Sequence, residues 1–312
     1  MENKLPLTPC IAPLSKAVAQ FFDRQMEAWP AARAGYAALA RVQVRELQIR
    51  GVTYRLQHNP ARTVSTCARV DRPSLASRPC FLCAPYRPKE QRGLTWQDYE
   101  ILVNPFPIFP HHLTIATTRH QPQTIAHRLI HLLRLARELP DYTLFYNGPR
   151  CGASAPDHAH FQAGNRGMMP IEQGWRARIA ATPQVWGEAR LHQLDDAPRH
   201  AWVIESPSLD DAVGLFERFC TALPTDRQVG EPMLNLLALD QDGVCVLFIF
   251  PRRAHRPACY FAQGTERMLV SPGAVDLGGL FILPAEDDFR RMDEDTLEGI
   301  LEEVVLKLRT KN

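Results

Sequence analysis

The sequence predicts an α+β protein in which an antiparallel sheet with flanking helices is built twice within one chain. Three observations lead there. Short apolar runs bounded by turn residues alternate with longer amphipathic segments. The strand, turn, strand plan of residues 99–118 recurs in "MLNLLALDQDGVCVLFIFPRRAHRP", and the end of that segment, "RRAHRP", echoes "TTRHQP" of the first. No low-complexity stretch or clean linker parts the halves, so they are expected to share one sheet or a close interface.

The elements follow in order. "LSKAVAQFFDRQMEAW" sets Val18, Phe21, Phe22 and Met26 at helical spacing, and "ARAGYAALARVQVREL" continues with helix formers, so residues 1–50 are expected to be a helical segment. "VTYRLQ" at 52–57 reads as a strand, and the proline-, serine- and arginine-rich stretch after it as irregular. Strands at 99–104 and 113–118, a helix over 123–138 and a strand at 142–146 come next. Residues 165–200 mix strand and loop character. A helix over 208–223 opens on a serine N-cap, and "DEDTLEGILEEVVLKLR" closes the chain as a helix with acidic residues at its start. The expected division is a helical segment 1–50, a catalytic half 51–200 and a second half 201–312 packed on it.

Composition limits the function. With 312 residues and 45% hydrophobic content the chain can bury a full core. A formal charge of +2 gives no support to general binding of nucleic acid or of a membrane surface. The longest dense apolar run, "VCVLFIF" at 244–250, is too short to span a bilayer, and "MENKLPLTPC" lacks a charged stretch followed by an apolar one. The expectation is a cytoplasmic protein. Eight cysteines are scattered except for "CFLC", Cys80 and Cys83, a spacing that suits one tetrahedral metal, a redox pair, or two small apolar residues.

The chemistry concentrates in "NGPRCGASAPDHAHFQAG", residues 147–164. In an extended segment His158, His160 and Gln162 project from one face and Ala159 and Phe161 from the other. Such a row suits a nucleophilic imidazole with polar support, a metal site, or surface histidines. The preceding loop, with Gly148, Gly152, Ala153, Ser154 and Arg150, lets backbone N–H groups come close to phosphate oxygens. His111 and His112 also lie near in sequence, but neighbours on a strand face opposite ways, so at most one can join the site.

"NGPRCGASAPDHAHFQ", with "NPFPIFPHHLTIATTRHQP" and "RPCFLC" before it, resembles the histidine-triad (HIT) superfamily. The similarity is to the branch of galactose-1-phosphate uridylyltransferase, the diadenosine tetraphosphate phosphorylases and the GDP-sugar phosphorylases. It runs over roughly residues 50–165, and "LNLLALDQDGVCVLFIFPRRAHRP" resembles the degenerate second half of those enzymes. The resemblance implies two HIT-like halves in one chain and a covalent nucleotidyl-histidine at His160, with Gln162 binding the phosphoryl group. It makes Asn147, Gly152 and Ser154 the phosphate site, and gives Arg62 and Arg150 as candidate phosphate contacts. It implies a structural zinc held by Cys80, Cys83, His120 and His158. One departure stands out: Asp157 precedes the first histidine where the relatives have proline, and reads either as a turn residue or as a partner for an imidazole.

The expected function is therefore nucleotidyl transfer or phosphorolysis on a nucleoside diphosphate sugar or dinucleoside polyphosphate, with phosphate or a sugar phosphate as acceptor. The alternatives are a HIT-type hydrolase, which Gln162 in place of a third histidine opposes, and a zinc-stabilised nucleotide-binding protein without turnover. A small-molecule nucleotide is the expected partner, with no nucleic acid and no membrane; a homodimer is compatible with the resemblance.

Overall fold

Alternation along "YTLFYN" and "HFQAGN" decides what each face of the main sheet meets. Tyr142, Leu144, Tyr146, Phe161 and Ala163 pack into one core, while Phe145, from the opposite face, belongs to another. The computed structural model describes residues 13–68 and 70–308; the "MENKLPLTPC" segment lies outside them. Thirteen strands are described: β1 (Gln43–Ile49), β2 (Val52–His58), β3 (Gly93–Trp96), β4 (Tyr99–Val103), β5 (His112–Thr117), β6 (Tyr142–Asn147), β7 (His160–Asn165), β8 (Gln184–Trp186), β9 (Ala189–Gln193), β10 (Trp202–Ser206), β11 (Leu234–Gln241), β12 (Val244–Pro251) and β13 (Leu280–Leu283).

Ten of them form one sheet in the order β3-β4-β5-β7-β6-β11-β12-β10-β9-β8, with every pairing antiparallel. Its first core is covered by helices Leu14–Ala28, Leu129–Glu138 and Leu209–Thr221, which supply Phe21, Leu132 and Phe216 among others. Against the other face stand the small sheet β1-β2-β13, in which β13 runs parallel to β2, and the C-terminal helix Glu294–Val304. Three layers result, and the gap between the two sheets holds the site. Among the described residues no helix is long and apolar enough to cross a membrane.

The duplication expected from sequence is present in the topology. From either edge inward the order is three meandering strands and then the fifth strand before the fourth: β3, β4, β5, β7, β6 on one side and β8, β9, β10, β12, β11 on the other. A helix joins the third strand to the fourth in both repeats, Leu129–Glu138 in one and Leu209–Thr221 in the other. The second repeat thus begins with β8, ahead of residue 201. The equivalence differs from the one the "TTRHQP" echo suggests: β11 and β12 match β6 and β7, not β4 and β5. Where the first repeat carries the loop 148–159, the second has only a tight turn at Asp242–Gly243, both at positive φ (54° and 85°).

Three boundaries differ from expectation, each for a local reason. The N-terminal helices stop at Leu39, because "QVRELQI" pairs with β2 through a turn at Arg50 and Gly51, both at positive φ (49° and 75°). The helix expected from 123 starts at Leu129; before it, the Ile125 and Ala126 amides are taken by the Glu231 carboxylate at 2.8 and 3.4 Å. The closing helix, capped by Asp293 accepting from the Thr296 amide at 2.9 Å, ends at Val304, and Val305 bridges to Arg252.

Gly164 in β7 shows how closely the hairpin before β5 is seated on the sheet: a Cβ there would lie 2.3 Å from the Phe109 ring. Gly164→Ala is expected to cost about 1–3 kcal/mol through overpacking, read as a lower denaturant midpoint. An unchanged midpoint would show that the hairpin gives way freely.

Candidate active site

β7 begins at His160, and the turn that delivers it is closed by the His158 amide donating to the Ala155 carbonyl at 3.1 Å. His160 Nδ1 lies 2.8 Å from the His158 carbonyl oxygen. A carbonyl only accepts, so Nδ1 carries the proton and Nε2 keeps its lone pair. Gln123 fixes the backbone of the same residue, accepting from the His160 amide at 2.8 Å and donating to its carbonyl at 3.0 Å. The ring is 5% exposed, and burial pushes its pKa down to about 4. His160 is a neutral imidazole with an available nitrogen.

His160 lines a cavity of about 1020 Å³ between the two sheets, together with Gln162, Asn147, Gly152, Ser154 and Arg62. The second repeat and its C-terminal extension complete the wall with His255, Arg256, Ser271 and Asp276. Asn147 does not point freely at the cavity: its Oδ1 accepts from Asn235 Nδ2 and from the Ala274 amide, both at 2.7 Å. Asn235, from the strand equivalent to β6, also donates to the Cys151 carbonyl at 2.7 Å, and its own Oδ1 accepts from Arg252 at 2.5 Å. The loop 148–159 is therefore held from the second repeat. Gly152 sits at φ +96°, and a Cβ there would come within 3.1 Å of Gly273 Cα, so the loop needs glycine for both conformation and space. Arg62 is anchored by donating to the Phe106 carbonyl at 2.8 Å. Asp276 accepts from the Gly273 and Ile282 amides at 2.8 and 2.9 Å, and burial raises its pKa to about 6.

Two sequence expectations are altered by this geometry. Arg150 leaves the cavity and pairs with Asp226 at 3.1 Å on the surface, because the turn after Gly148 directs it outward. His158 does not share the cavity face with His160 and Gln162; it precedes the strand, and the turn carries its ring into a separate cluster.

In that cluster Cys80, Cys83, His120 and His158 bring their ligand atoms within 4.8 Å of one another. His158 Nε2 lies 2.7 Å from the Thr117 carbonyl and so carries the proton, which leaves Nδ1 as the lone pair, 3.3 Å from Cys80 Sγ. His120 Nδ1 is 3.4 Å from Cys83 Sγ. Two thiols and two imidazole nitrogens, one of them already oriented from behind, fit a tetrahedral divalent cation. Asp157 lies in the turn before β7, with Oδ2 3.6 Å from His120 Nε2 and Oδ1 3.8 Å from Arg78, both beyond hydrogen-bond distance.

Sequence reasoning missed Gln123, Asn235, Arg252 and His112. Gln123, Asn235 and Arg252 act across long sequence separations and have no local signature. His112 was undecided against His111 until register was known: it pairs with Gly164, on the face of Gln162, while His111 stacks on Phe22 at 4.1 Å.

Burial of uncharged imidazoles makes folding sensitive to acid. His160, His112 and His255 are depressed from 6.5 to about 4, 3 and 3. Below 6.5 the unfolded chain takes up protons that the folded chain refuses, so stability is full above that pH and falls as pH drops toward 4. Thermal denaturation between pH 7 and 4 is expected to show a steadily falling Tm, and a flat profile would contradict neutral burial.

Comparison with known proteins agrees with this architecture. Residues 21–165 match a family model described as a domain of unknown function (DUF4922), and residues 175–310 match the GDPGP1-like, C-terminal domain. The yeast Ap4A phosphorylase Apa2 in complex with Ap4A has a TM-score of 0.62 at 17% identity, over 91% of this chain and 96% of that one. A second structure of yeast Apa2 gives 0.56 at 16%, over 87% and 92%, and its complex with AMP gives 0.53 at 16%, over 91% and 94%. No curated protein sequence matches the chain significantly. These matches give the chain the fold of yeast Ap4A phosphorylase Apa2 and, over residues 175–310, the GDPGP1-like, C-terminal domain.

Proposed function

We propose that the protein is a nucleotidyltransferase or nucleotide phosphorylase that works through a covalent nucleotidyl-histidine at Nε2 of His160. The observation that carries this reading is the tautomer of His160: a neutral ring in a cavity-lining residue, with its Nδ1 proton committed to the His158 carbonyl and the Nε2 lone pair left over. In the first step Nε2 attacks the α-phosphorus of a nucleoside diphosphate sugar or dinucleoside polyphosphate. The N–P bond forms and the P–O bond to the leaving phosphate group breaks, leaving a cationic phosphorylated imidazole that the His158 carbonyl stabilises. In the second step phosphate or a sugar phosphate attacks the same phosphorus, the P–O bond forms, and the histidine leaves neutral.

Gln162, Arg62 and the backbone of Gly152–Ser154 are the groups proposed to hold the phosphoryl oxygens while charge spreads over them. Asn147 acts by fixing the loop, and Arg150, paired with Asp226, has no part. Ap4A and AMP, bound by the yeast enzyme of the same fold, are in keeping with a nucleotide in a cavity of this size. Cys80, Cys83, His120 and His158 are proposed to hold a structural zinc, whose chemistry here is to tie the "CFLC" loop to the turn before β7.

Incubation with labelled Ap4A and with UDP-, GDP- and ADP-sugars is expected to leave an acid-labile, base-stable label on the wild type. His160→Ala is expected to reduce labelling by about 10⁴-fold or more; equal labelling of both would refute the mechanism. A label lost to water as readily as to phosphate would point to hydrolysis instead. Elemental analysis is expected to find zinc in the wild type and not in Cys80→Ser or His158→Ala, and unchanged metal in those variants would reject the ligand set.

A further inference from the structure

The structure assigns a positioning role to His112: it sets which end of the Gln162 amide faces the cavity, an inference that rests on the cavity being a nucleotidyl-transfer site. His112 opens β5 and is fully buried, with the rings of Phe109 and Phe145 centred 5.6 and 5.9 Å away. The Ile108 amide donates to its Nδ1 at 3.3 Å. An amide N–H has only a proton to offer, so Nδ1 holds the lone pair. Burial, with Arg62 nearby, depresses the pKa to about 3, and the neutral ring carries its proton on Nε2.

Nε2 stands 3.0 Å from Oε1 of Gln162. The imidazole therefore donates, and the amide oxygen of Gln162 is taken. Its NH₂ group is left for the cavity, and among the described residues it has no hydrogen-bond partner. A glutamine flipped end for end would set N–H against N–H at His112 and turn an oxygen toward the oxygens of a phosphoryl group. The proton on His112 forbids that state. The main chain is held too: Tyr36 Oη donates to the His112 carbonyl at 2.9 Å and accepts from its amide at 3.3 Å.

One cavity wall thus depends on two buried imidazoles of opposite tautomer. His160 keeps its proton on Nδ1 and presents a lone pair; His112 keeps its proton on Nε2 and, through Gln162, presents a donor. The ligand atom chosen by that donor is one that only accepts, such as a non-bridging phosphoryl oxygen.

Two measurements test this. Long-range ¹H–¹⁵N spectra of histidine-labelled wild type, assigned with His112→Phe and His160→Ala, are expected to show the Nε2–H form for His112 and the Nδ1–H form for His160. An Nδ1–H form at His112 would overturn the inference, whatever the protein's activity. In single-turnover labelling, Gln162→Met is expected to slow transfer about 100-fold and His112→Phe about tenfold. The double variant should be no more than about twofold slower than Gln162→Met alone. Multiplying penalties would mean that His112 is only structural. Should the wild type take no label from any nucleotide, the function proposed above falls, and the tautomer spectra still decide how the amide is set.

Discussion

The site depends on one hydrogen bond, from Nδ1 of His160 to the carbonyl of His158. It decides the tautomer, and so leaves Nε2 with a lone pair to offer and no proton to donate. The carbonyl in turn has to stay where it is. His158 is held through its own ring, with Nε2–H on the Thr117 carbonyl and Nδ1 beside Cys80 and Cys83. A cation bound there would stiffen the residue whose main chain orients the attacking ring, two residues along the chain and outside the cavity. Gln123 completes the restraint from the other side by bonding both main-chain groups of His160.

The second repeat explains why the chain needs both copies although only one carries the loop and the histidines. Besides completing the cavity wall, it holds the loop 148–159 through polar groups buried at the seam between β6 and β11. Arg252 is almost wholly buried and donates to Asn235 and to the carbonyls of Pro272, Ala254, His255 and Val304 at 2.5–3.1 Å. With so many acceptors a guanidinium can be buried without a carboxylate partner. Asn235 passes that order to Asn147 and Cys151, and so to the loop that lines the cavity. The two-residue turn at Asp242–Gly243 leaves the second repeat no loop of its own with which to bind phosphate.

What sequence disclosed divides along the same physical line. The strands were legible because side-chain period is a local signal; the doubling and the grouping of Cys80, Cys83, His120 and His158 were legible through the resemblance, since the "TTRHQP" echo pairs strands that do not correspond. The shared face of His158, His160 and Gln162 was only two-thirds right, since a turn at Ala155–His158 breaks the alternation that an unbroken strand would impose. Arg150 reads as a phosphate contact by its neighbours, and only tertiary structure shows that its guanidinium pairs with Asp226. Of the residues that orient others, Gln123 and Asn235 had no signal in the sequence and His112 was narrowed only to a choice with His111: each acts across the sheet, where register and not sequence distance decides who meets whom. Residues 40–50 were misjudged because helix formers continue past Leu39 while pairing with β2 overrides their propensity.

In the proposed mechanism a single nitrogen, Nε2 of His160, carries the nucleotide between two phosphates. The most direct measurement is to trap the protein with nucleotide in the absence of acceptor and locate the phosphorus by peptide mass mapping and ³¹P–¹⁵N coupling. The account predicts a phosphoramidate on Nε2 of His160 in the peptide containing "DHAHFQ". Phosphorus on Nδ1, on His158 or on a carboxylate would contradict it.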